Sequence, residues 1–169
     1  YYGTIRLWQR TTGRLERAAY KHGWGINVIR RLEGGEQYLF GALNGTAAIF
    51  DLDTGRVVHE LAVHEKPVLA VAAVAQPGLV AVGGGDGRIS VYRQGDWKEL
   101  ESYVNPFGPV WALAFAERGA RLYFGGLDGD WDLDNDGNYG EDGEPTNLNP
   151  TVSWATLESF GIDDDNPGY

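Results

Sequence analysis

Apolar and polar residues alternate in short runs along the first three quarters of the chain, and turn-forming residues separate the runs. Runs of about 4 to 8 residues with period-two alternation, bounded by Gly, Pro, Asn or Asp, are typical of β-strands. The clearest runs are INVIRRL (26–32), YLFGAL (38–43), GTAAIF (45–50), RVVHELAV (56–63), PVLAVAAV (67–74), LVAVGG (79–84), GRISVY (87–92) and KELESYV (98–104). No helical pattern interrupts them, so this region is predicted to be all-β.

The predicted strands repeat with a fixed period. The segments GTIRLW, GTAAIF and GRISVY begin at Gly3, Gly45 and Gly87, which are 42 residues apart with no insertion or deletion between them. Each period contains four predicted strands. Four short antiparallel strands in about 42 residues indicate one blade of a β-propeller.

The repeat carries features at fixed distances from its third strand. A turn precedes the strand, at Asn44, Asp86 and Asp128. After it come the closing aromatics Trp8, Phe50 and Tyr92, the Thr-Gly turns at Thr12 and Thr54, and the histidines His22 and His64. With these spacings the chain resembles the WD-repeat β-propeller family over about residues 1–129. It departs from the family pattern because only Phe50 is followed by Asp, and because Pro106 stands at the phase of the third His.

The resemblance implies a hydrogen-bonded network that orders the loops between blades. In it Asp86 holds His64, and His64 meets the strand aromatic Tyr92. The first repeat would pair His22 with Asn44. A catalytic His64 would need a nucleophile or a second base nearby, and the sequence indicates none.

The first strand of each unit is predicted to lie nearest the propeller axis, where small residues fit best. Ala72 and Ala114 agree with this, whereas Arg30 occupies the same phase. Arg30 either points toward the axis or a ligand-bearing surface, or forms a local salt bridge. The aromatics Trp24, Trp97 and Phe107 either pack between blades or form a binding site.

The strands of this chain do not close a ring. Residues 1–20 supply the last two strands of a blade, two complete units follow, and a further unit has only two strands before the pattern ends. Propellers usually have about 4 to 8 blades. We therefore expect about three blades in an incomplete ring, completed by a longer polypeptide, another copy or another protein. The absence of Met favours a processed chain or a piece of a longer one.

Charge divides the chain in two. It has 14 basic and 24 acidic residues, a formal net charge of −10. All the basic residues and half of the acidic ones precede residue 128, and the other acidic residues follow without a single Lys, Arg or His. We therefore predict blades over 1–129 and an acidic, loop-rich extension over 130–169. Such an extension repels nucleic acid and anionic lipid.

The chain has no Cys. This excludes disulfides, thiolate zinc sites, cysteine nucleophiles and haem attached through a C-x-x-C-H motif. The longest apolar run, Val68–Val74, is too short to cross a bilayer, so no membrane insertion is expected.

The extension opens with aspartates at alternate positions, which an extended strand would place on one face about 7 Å apart. Such carboxylates need either water or cations. The order Asp-x-Asp-x-Asp-Gly matches the start of an EF-hand-type calcium loop, although Gly143 stands where the closing carboxylate belongs. The candidate ligands are Asp132, Asp134, Asp136, Asn138, Asp142 and Glu144, with Asp163, Asp164 and Asp165 as a second cluster. A solvated acidic linker is the alternative.

The end of the chain includes a predicted short helix. Asn149 would cap it, Pro150 would occupy its first position, Gly161 would end it, and three apolar residues recur every third position. These residues are Trp154, Leu157 and Phe160.

The sequence favours a non-catalytic protein-binding or scaffold module, with calcium as a candidate stabilising ion. The acidic segment could then order a junction between subunits of an exported or surface protein, so a periplasmic or extracellular location is favoured. The alternative is a fragment of an exported propeller enzyme or cytochrome-associated redox protein whose active site lies outside this chain.

Overall fold

The computed structural model describes residues 3–61, 64–106 and 108–126, and the backbone of residues 153–156. The strands are β1 (Thr4–Gln9), β2 (Arg14–Lys21), β3 (Ile26–Arg31), β4 (Gln37–Ala42), β5 (Ala47–Asp51), β6 (Arg56–Glu60), β7 (Val68–Val74), β8 (Leu79–Gly84), β9 (Arg88–Arg93), β10 (Glu99–Val104), β11 (Val110–Ala116), β12 (Arg121–Gly126) and β13 (Ser153–Thr156). One 3₁₀ turn, Glu117–Gly119, joins β11 to β12. Within these described residues, no helix is long and apolar enough to cross a bilayer.

The strands form four antiparallel sheets. Sheet 1 contains β1 and β2, sheet 2 contains β3 to β6, sheet 3 contains β7 to β10, and sheet 4 contains β11 to β13. The first strands of sheets 2, 3 and 4 pack against one another in succession. This all-β arrangement of blade-like sheets confirms the predicted fold class, including the two complete four-stranded units.

Three apolar layers hold neighbouring sheets together, because the residues of each strand alternate between its two faces. Between sheets 1 and 2 the fully buried aromatics Phe40 and Phe50 lie beneath Tyr20 of β2. Between sheets 2 and 3 the layer includes Leu39 and Val80. The layer between sheets 3 and 4 is built from Ala72, Leu79, Ala81, Ile89, Val91, Val110, Leu122 and Phe124.

The repeated segments make equivalent backbone hydrogen bonds. The backbone N–H groups of His22 and His64 donate to the carbonyl oxygens of Gly3 and Gly45, respectively, with N···O distances of 2.8 Å in both cases. The residues at the same positions in sequence therefore make the same bond one blade apart. This confirms that the 42-residue repeat is a structural repeat.

The equivalent hydrogen bond in the third repeat involves a different residue from the one that the sequence alignment of the repeats indicates. Asn105, and not Pro106, donates its backbone N–H to Gly87 O, at 2.8 Å. Proline has no N–H to donate. The preceding residue therefore takes the structural position of the histidines, although the sequence phase points to Pro106.

Residues 153–156 differ from the prediction of a helix over 149–161. They form β13, which pairs antiparallel with β12. A helix of about ten residues is marginal by itself, whereas the open edge of β12 offers hydrogen-bond partners to an extended segment. Arg121 pairs with Thr156, as Gln37 pairs with Asp51 in sheet 2, so β13 takes the place of a third strand. The intervening residues 127–152 lie outside the described part.

Gly45 allows the loop between blades to approach closely. Its φ is +85°, and a Cβ added there would collide with the carbonyl oxygen of His64. Gly13 has a similar φ of +66°, but an added Cβ would meet nothing within 4 Å. A substitution at Gly13 therefore introduces backbone strain alone, whereas a substitution at Gly45 introduces backbone strain and a steric collision.

We predict that Gly45→Ala destabilises the protein far more than Gly13→Ala. The left-handed backbone alone costs about 1 kcal/mol, whereas the collision at Gly45 raises the cost to about 3 kcal/mol. Urea unfolding followed by circular dichroism measures both. Equal losses for the two variants would contradict the role given to the His64 loop.

Candidate functional site

His64 and Asp86 form a pair between sheets 2 and 3, as the resemblance implies, in which His64 is buried and Asp86 is partly buried. The Nδ1 atom of His64 lies 2.9 Å from Oδ1 of Asp86, and the His64 side chain is 2% exposed. Since a carboxylate only accepts, the Nδ1–H group donates. Asp86 also accepts from the backbone N–H groups of Glu65 and Arg88, both at 3.0 Å. One carboxylate thus ties the loop before β7 to the turn before β9.

Gly84 makes room for this pair. A Cβ added at Gly84 would collide with His64 Nδ1 and lie 2.6 Å from Asp86 Oδ1. Burial acts to raise the pKa of Asp86, but the hydrogen bonds from His64 and from the Arg88 and Glu65 backbone outweigh it. The net result is a pKa below the ordinary value for Asp. Because each of these contacts orders a loop, the pair has a structural role.

The first repeat lacks the corresponding pair. His22 Nδ1 contacts the backbone of Trp24, and its ring packs edge-on against Phe40 at 5.4 Å. The Asn44 amide bonds Thr46 instead, at 2.9 Å from its Oγ1. His22 and Asn44 therefore do not form the pair that the resemblance implies. In the described part of the chain, only His64 and Asp86 make the full His–Asp contact.

The other residues singled out from the sequence have different surroundings in the structure. Arg30 is exposed on β3, and within the described residues it forms no ion pair, so the salt-bridge alternative is not supported. Trp97 packs into the layer between sheets 2 and 3 and stacks on His59 with ring centroids 5.7 Å apart. Trp24 is 59% exposed. Phe107 lies outside the described residues.

The calcium candidates Asp132, Asp134, Asp136, Asn138, Asp142 and Glu144, and the cluster 163–165, also lie outside the described residues. Among the residues that the structure does describe, no three His, Asp or Glu side chains are grouped so as to hold a metal ion.

The largest departure from the repeat is the exposure of Trp8. Its equivalents, Phe50 and Tyr92, are 0% and 3% exposed because each packs against the neighbouring sheet. Trp8 lies on β1 of the first sheet and is 56% exposed. Leu15, its partner across the β1–β2 ladder, is 48% exposed. The outward face of sheet 1 is therefore an uncovered blade face.

Sheet 4 is uncovered at the opposite end. Ala112 and Ala114 of β11 are exposed, whereas their equivalents in β7, Ala70 and Ala72, are both 4% exposed. Trp111 beside them is 53% exposed. We refer to the outward faces of sheets 1 and 4 as the end faces. Sequence reasoning identified the incomplete terminal blades but not these faces, although the phase shared by Trp8 and Phe50 was available in the sequence.

An apolar cleft accompanies each end face. The first cleft lies where sheet 1 lacks its inner strands and is lined by Leu7 of β1, Ile29 of β3 and Tyr38 of β4, among others. The second lies between sheets 3 and 4 and includes Val91 and Tyr103. Both clefts expose surface that a complete blade would cover.

No protein-family model matches the chain. Telomerase protein component 1 of Mus musculus and that of Rattus norvegicus are each 27% identical over 127 residues, which is 75% of this chain. The chain spans about 5% of the length of these relatives. Two computationally designed proteins share its fold. Ika4 has a TM-score of 0.66 at 22% identity and covers 91% of this chain and 79% of its own; Ika8 has a TM-score of 0.62 at 25% identity and covers 75% and 38%.

We predict that Asp86→Asn removes an acid-sensitive part of the stability. The folded-state pKa of Asp86 is below its unfolded value of about 3.9. The stabilisation is therefore present above about pH 4 and is lost as the pH falls through the folded-state pKa. At pH 7 the substitution should cost about 1 to 3 kcal/mol, and the difference from the native chain should shrink below pH 4.

Urea unfolding at several pH values measures this, with the exposed Asp53→Asn as the matched control. Asp53→Asn should change stability by less than about 0.5 kcal/mol. A difference between Asp86→Asn and the native chain that stays constant from pH 7 to pH 2 would contradict the pairing.

Proposed function

We propose that this chain is a non-catalytic protein-binding or scaffold module whose binding surfaces are its two end faces. The observation that carries the proposal is Trp8, which is 56% exposed although both of its repeat equivalents are buried. Large aromatics in uncovered apolar patches dominate the energetics of protein interfaces. The protein partner, or a further copy, would cover Trp8 as neighbouring sheets cover Phe50 and Tyr92.

Two further facts support the proposal. The relatives are named as a protein component of telomerase, and a component by definition works in association with other molecules. The blade region also has a net charge close to zero, since it contains 14 basic residues and about as many acidic residues. A near-neutral surface associates with a partner through apolar contacts without strong repulsion.

We predict that Trp8→Glu abolishes association through sheet 1, because it places a charge in a surface that must lose its water. Val58→Glu is the matched control, since Val58 is 50% exposed on the outer strand β6, away from both end faces. The immobilised chain is mixed with a native extract, and proteins retained by the native sequence and by each variant are quantified by mass spectrometry.

At least about tenfold weaker retention of a partner, or of the chain itself, is expected for Trp8→Glu but not for Val58→Glu. Circular dichroism establishes that both variants remain folded. If both variants retain every protein equally, the end face of sheet 1 is not a binding surface and the proposal is wrong.

We also propose that calcium stabilises the module through the acidic segment. The spacing Asp132-x-Asp134-x-Asp136-Gly137 supports this, because alternating carboxylates followed by Gly suit a hard cation. Isothermal titration calorimetry with calcium should show binding in the micromolar to millimolar range, and saturating calcium should raise the melting temperature by about 2 to 6 °C.

The triple variant Asp132→Asn, Asp134→Asn, Asp136→Asn should lose both effects. The control variant Glu33→Gln, Asp53→Asn removes carboxylates from the blades and should keep them. The calcium proposal fails if chelator and calcium give the same melting temperature and the titration shows no heat.

A further inference from the structure

We infer that the second cleft, between sheets 3 and 4, is a binding site for a small aromatic molecule. The site lies between two sheets of the same chain and not on either end face, so it goes beyond the proposed function. The juxtaposition that points to it is a set of walls like those around Tyr92, with alanine at the register position of the ring.

An aromatic ring fills the same position in each of the other two apolar layers. Between sheets 2 and 3 the ring is that of Tyr92, which is 3% exposed. Between sheets 1 and 2 the ring is that of Phe50, which is fully buried. Both residues lie on the third strand of their sheet. A layer of this kind is therefore filled by a ring from the third strand of the sheet that comes later in the chain.

The walls of the second cleft are the repeat equivalents of the side chains packed around Tyr92. Five members of the apolar cluster that contains Tyr92 are Ala47, Ile49, Leu61, Val80 and Val82. The residues 42 positions after these five all line the second cleft, and they are Ile89, Val91, Tyr103, Leu122 and Phe124. The cleft thus has the walls of a position that holds an aromatic ring one blade earlier.

Sheet 4 has alanine where the ring would be attached. In sheet 3, Tyr92 pairs with Val80. In sheet 4, Ala155 of β13 pairs with Leu122, which is the repeat equivalent of Val80. Alanine has only a methyl group, so that register position supplies no ring to this layer. A cleft of about 400 Å³, partly open to solvent, lies between the walls.

The walls suit a flat apolar ring. Val91 and Leu122 are 3% and 2% exposed, so a ring that packs against them is removed from water on that side. On the open side Tyr103 is 47% exposed, and its ring centroid lies 5.9 Å from that of Phe124. Aromatic rings prefer offset or tilted contacts with centroids about 4.5–7 Å apart. A further ring can therefore pack beside this pair.

Glu101 favours an uncharged ligand over an anionic one. Glu101 also lines the cleft, at the repeat position of His59, which stacks on Trp97 beside the preceding layer. A ligand carboxylate in the cleft would be repelled by the Glu101 carboxylate, and such repulsion is strong where little water lies between the charges. A neutral ring, or one with an N–H group, avoids this cost.

The dimensions of the cleft favour a small molecule over a protein partner. Sites for small molecules typically have volumes of about 300–1,000 Å³, and the second cleft lies within this range. A stable protein interface buries about 800 Å² on each partner, which requires an extended surface. The cleft is instead recessed between two sheets.

Calorimetric titration of the full chain with indole tests the site, because indole is an uncharged ring with one N–H group. Binding at millimolar or lower concentration is expected. In proton–nitrogen NMR spectra, the largest amide shifts should come from Val91, Leu122 and Tyr103. Indole-3-carboxylate has the same ring with a carboxylate added, and it should bind at least about tenfold more weakly.

Ala155→Tyr gives sheet 4 the ring that sheet 3 has in Tyr92. The new ring should fill the cleft, abolish indole binding and raise the melting temperature by about 2 to 6 °C. Ala155→Ser is the matched control, since it changes the same position without adding a ring. The control should bind indole as the native chain does.

Tyr103→Ala provides a test from the opposite wall of the cleft. Because Tyr103 is 47% exposed, the variant should stay folded, and indole should bind about fivefold more weakly without the ring contact. Val104→Ala is its matched control, because Val104 is 61% exposed and points to the other face of β10. This control should leave the affinity for indole unchanged.

A native chain that gives neither heat nor amide shifts with indole would rule out the site. The same conclusion follows if the shifts lie away from the cleft, or if both probes bind equally. It follows as well if Ala155→Tyr still binds indole, or if Tyr103→Ala and Val104→Ala weaken binding to the same extent. In each of these cases the proposed protein-binding function would stand, because it depends on Trp8.

Discussion

A blade with two apolar faces needs a neighbour on each side, and this requirement dominates the whole molecule. Sheets 2 and 3 satisfy it, since the layers on either side of them bury Phe50, Leu39 and Ala81 almost completely. Apolar area removed from water is the main favourable contribution to folding. The first and last sheets have a neighbour on one side only. The outward face of each therefore stays exposed to water.

The loops between blades obey a related constraint, which is that backbone must approach backbone. Gly45 gives the His64 loop space to approach, and Gly84 gives the His64 ring space beside Asp86. The hydrogen bonds of Asp86 then join residues from two loops around one carboxylate. A carboxylate that loses part of its hydration is stable only when such bonds compensate for the loss. The order of the loops and the partial burial of Asp86 thus depend on each other.

Much of the fold could be predicted from sequence because its signals are local and repeated. Alternation located the strands of sheets 2 and 3, and the spacing of Gly3, Gly45 and Gly87 gave their order. The errors came from non-local effects. The apolar spacing around Trp154 is that of a helix, but the open edge of β12 is a partner that no local pattern reports.

Asn105 takes the position that the 42-residue spacing assigns to Pro106, because Asn105 can donate a backbone N–H and proline cannot. The spacing alone does not include this requirement. The stacking of His59 on Trp97 joins neighbouring sheets, and the local sequence around neither residue indicates it. For the candidate site, the resemblance to WD-repeat propellers implied the contact between His64 and Asp86. It gave no measure of exposure, and exposure is what distinguishes Trp8 from its two equivalents.

The uniform 42-residue spacing of the three glycine-led strands affects how such a chain can change over time. Because each unit contacts only the units beside it, an in-frame duplication or loss of one unit leaves every remaining contact surface matched to a similar one. Genetic recombination can thus change the number of units in whole steps, without redesign of any side chain. Lineages carrying this module would be expected to differ in unit number more readily than in the packing within a unit.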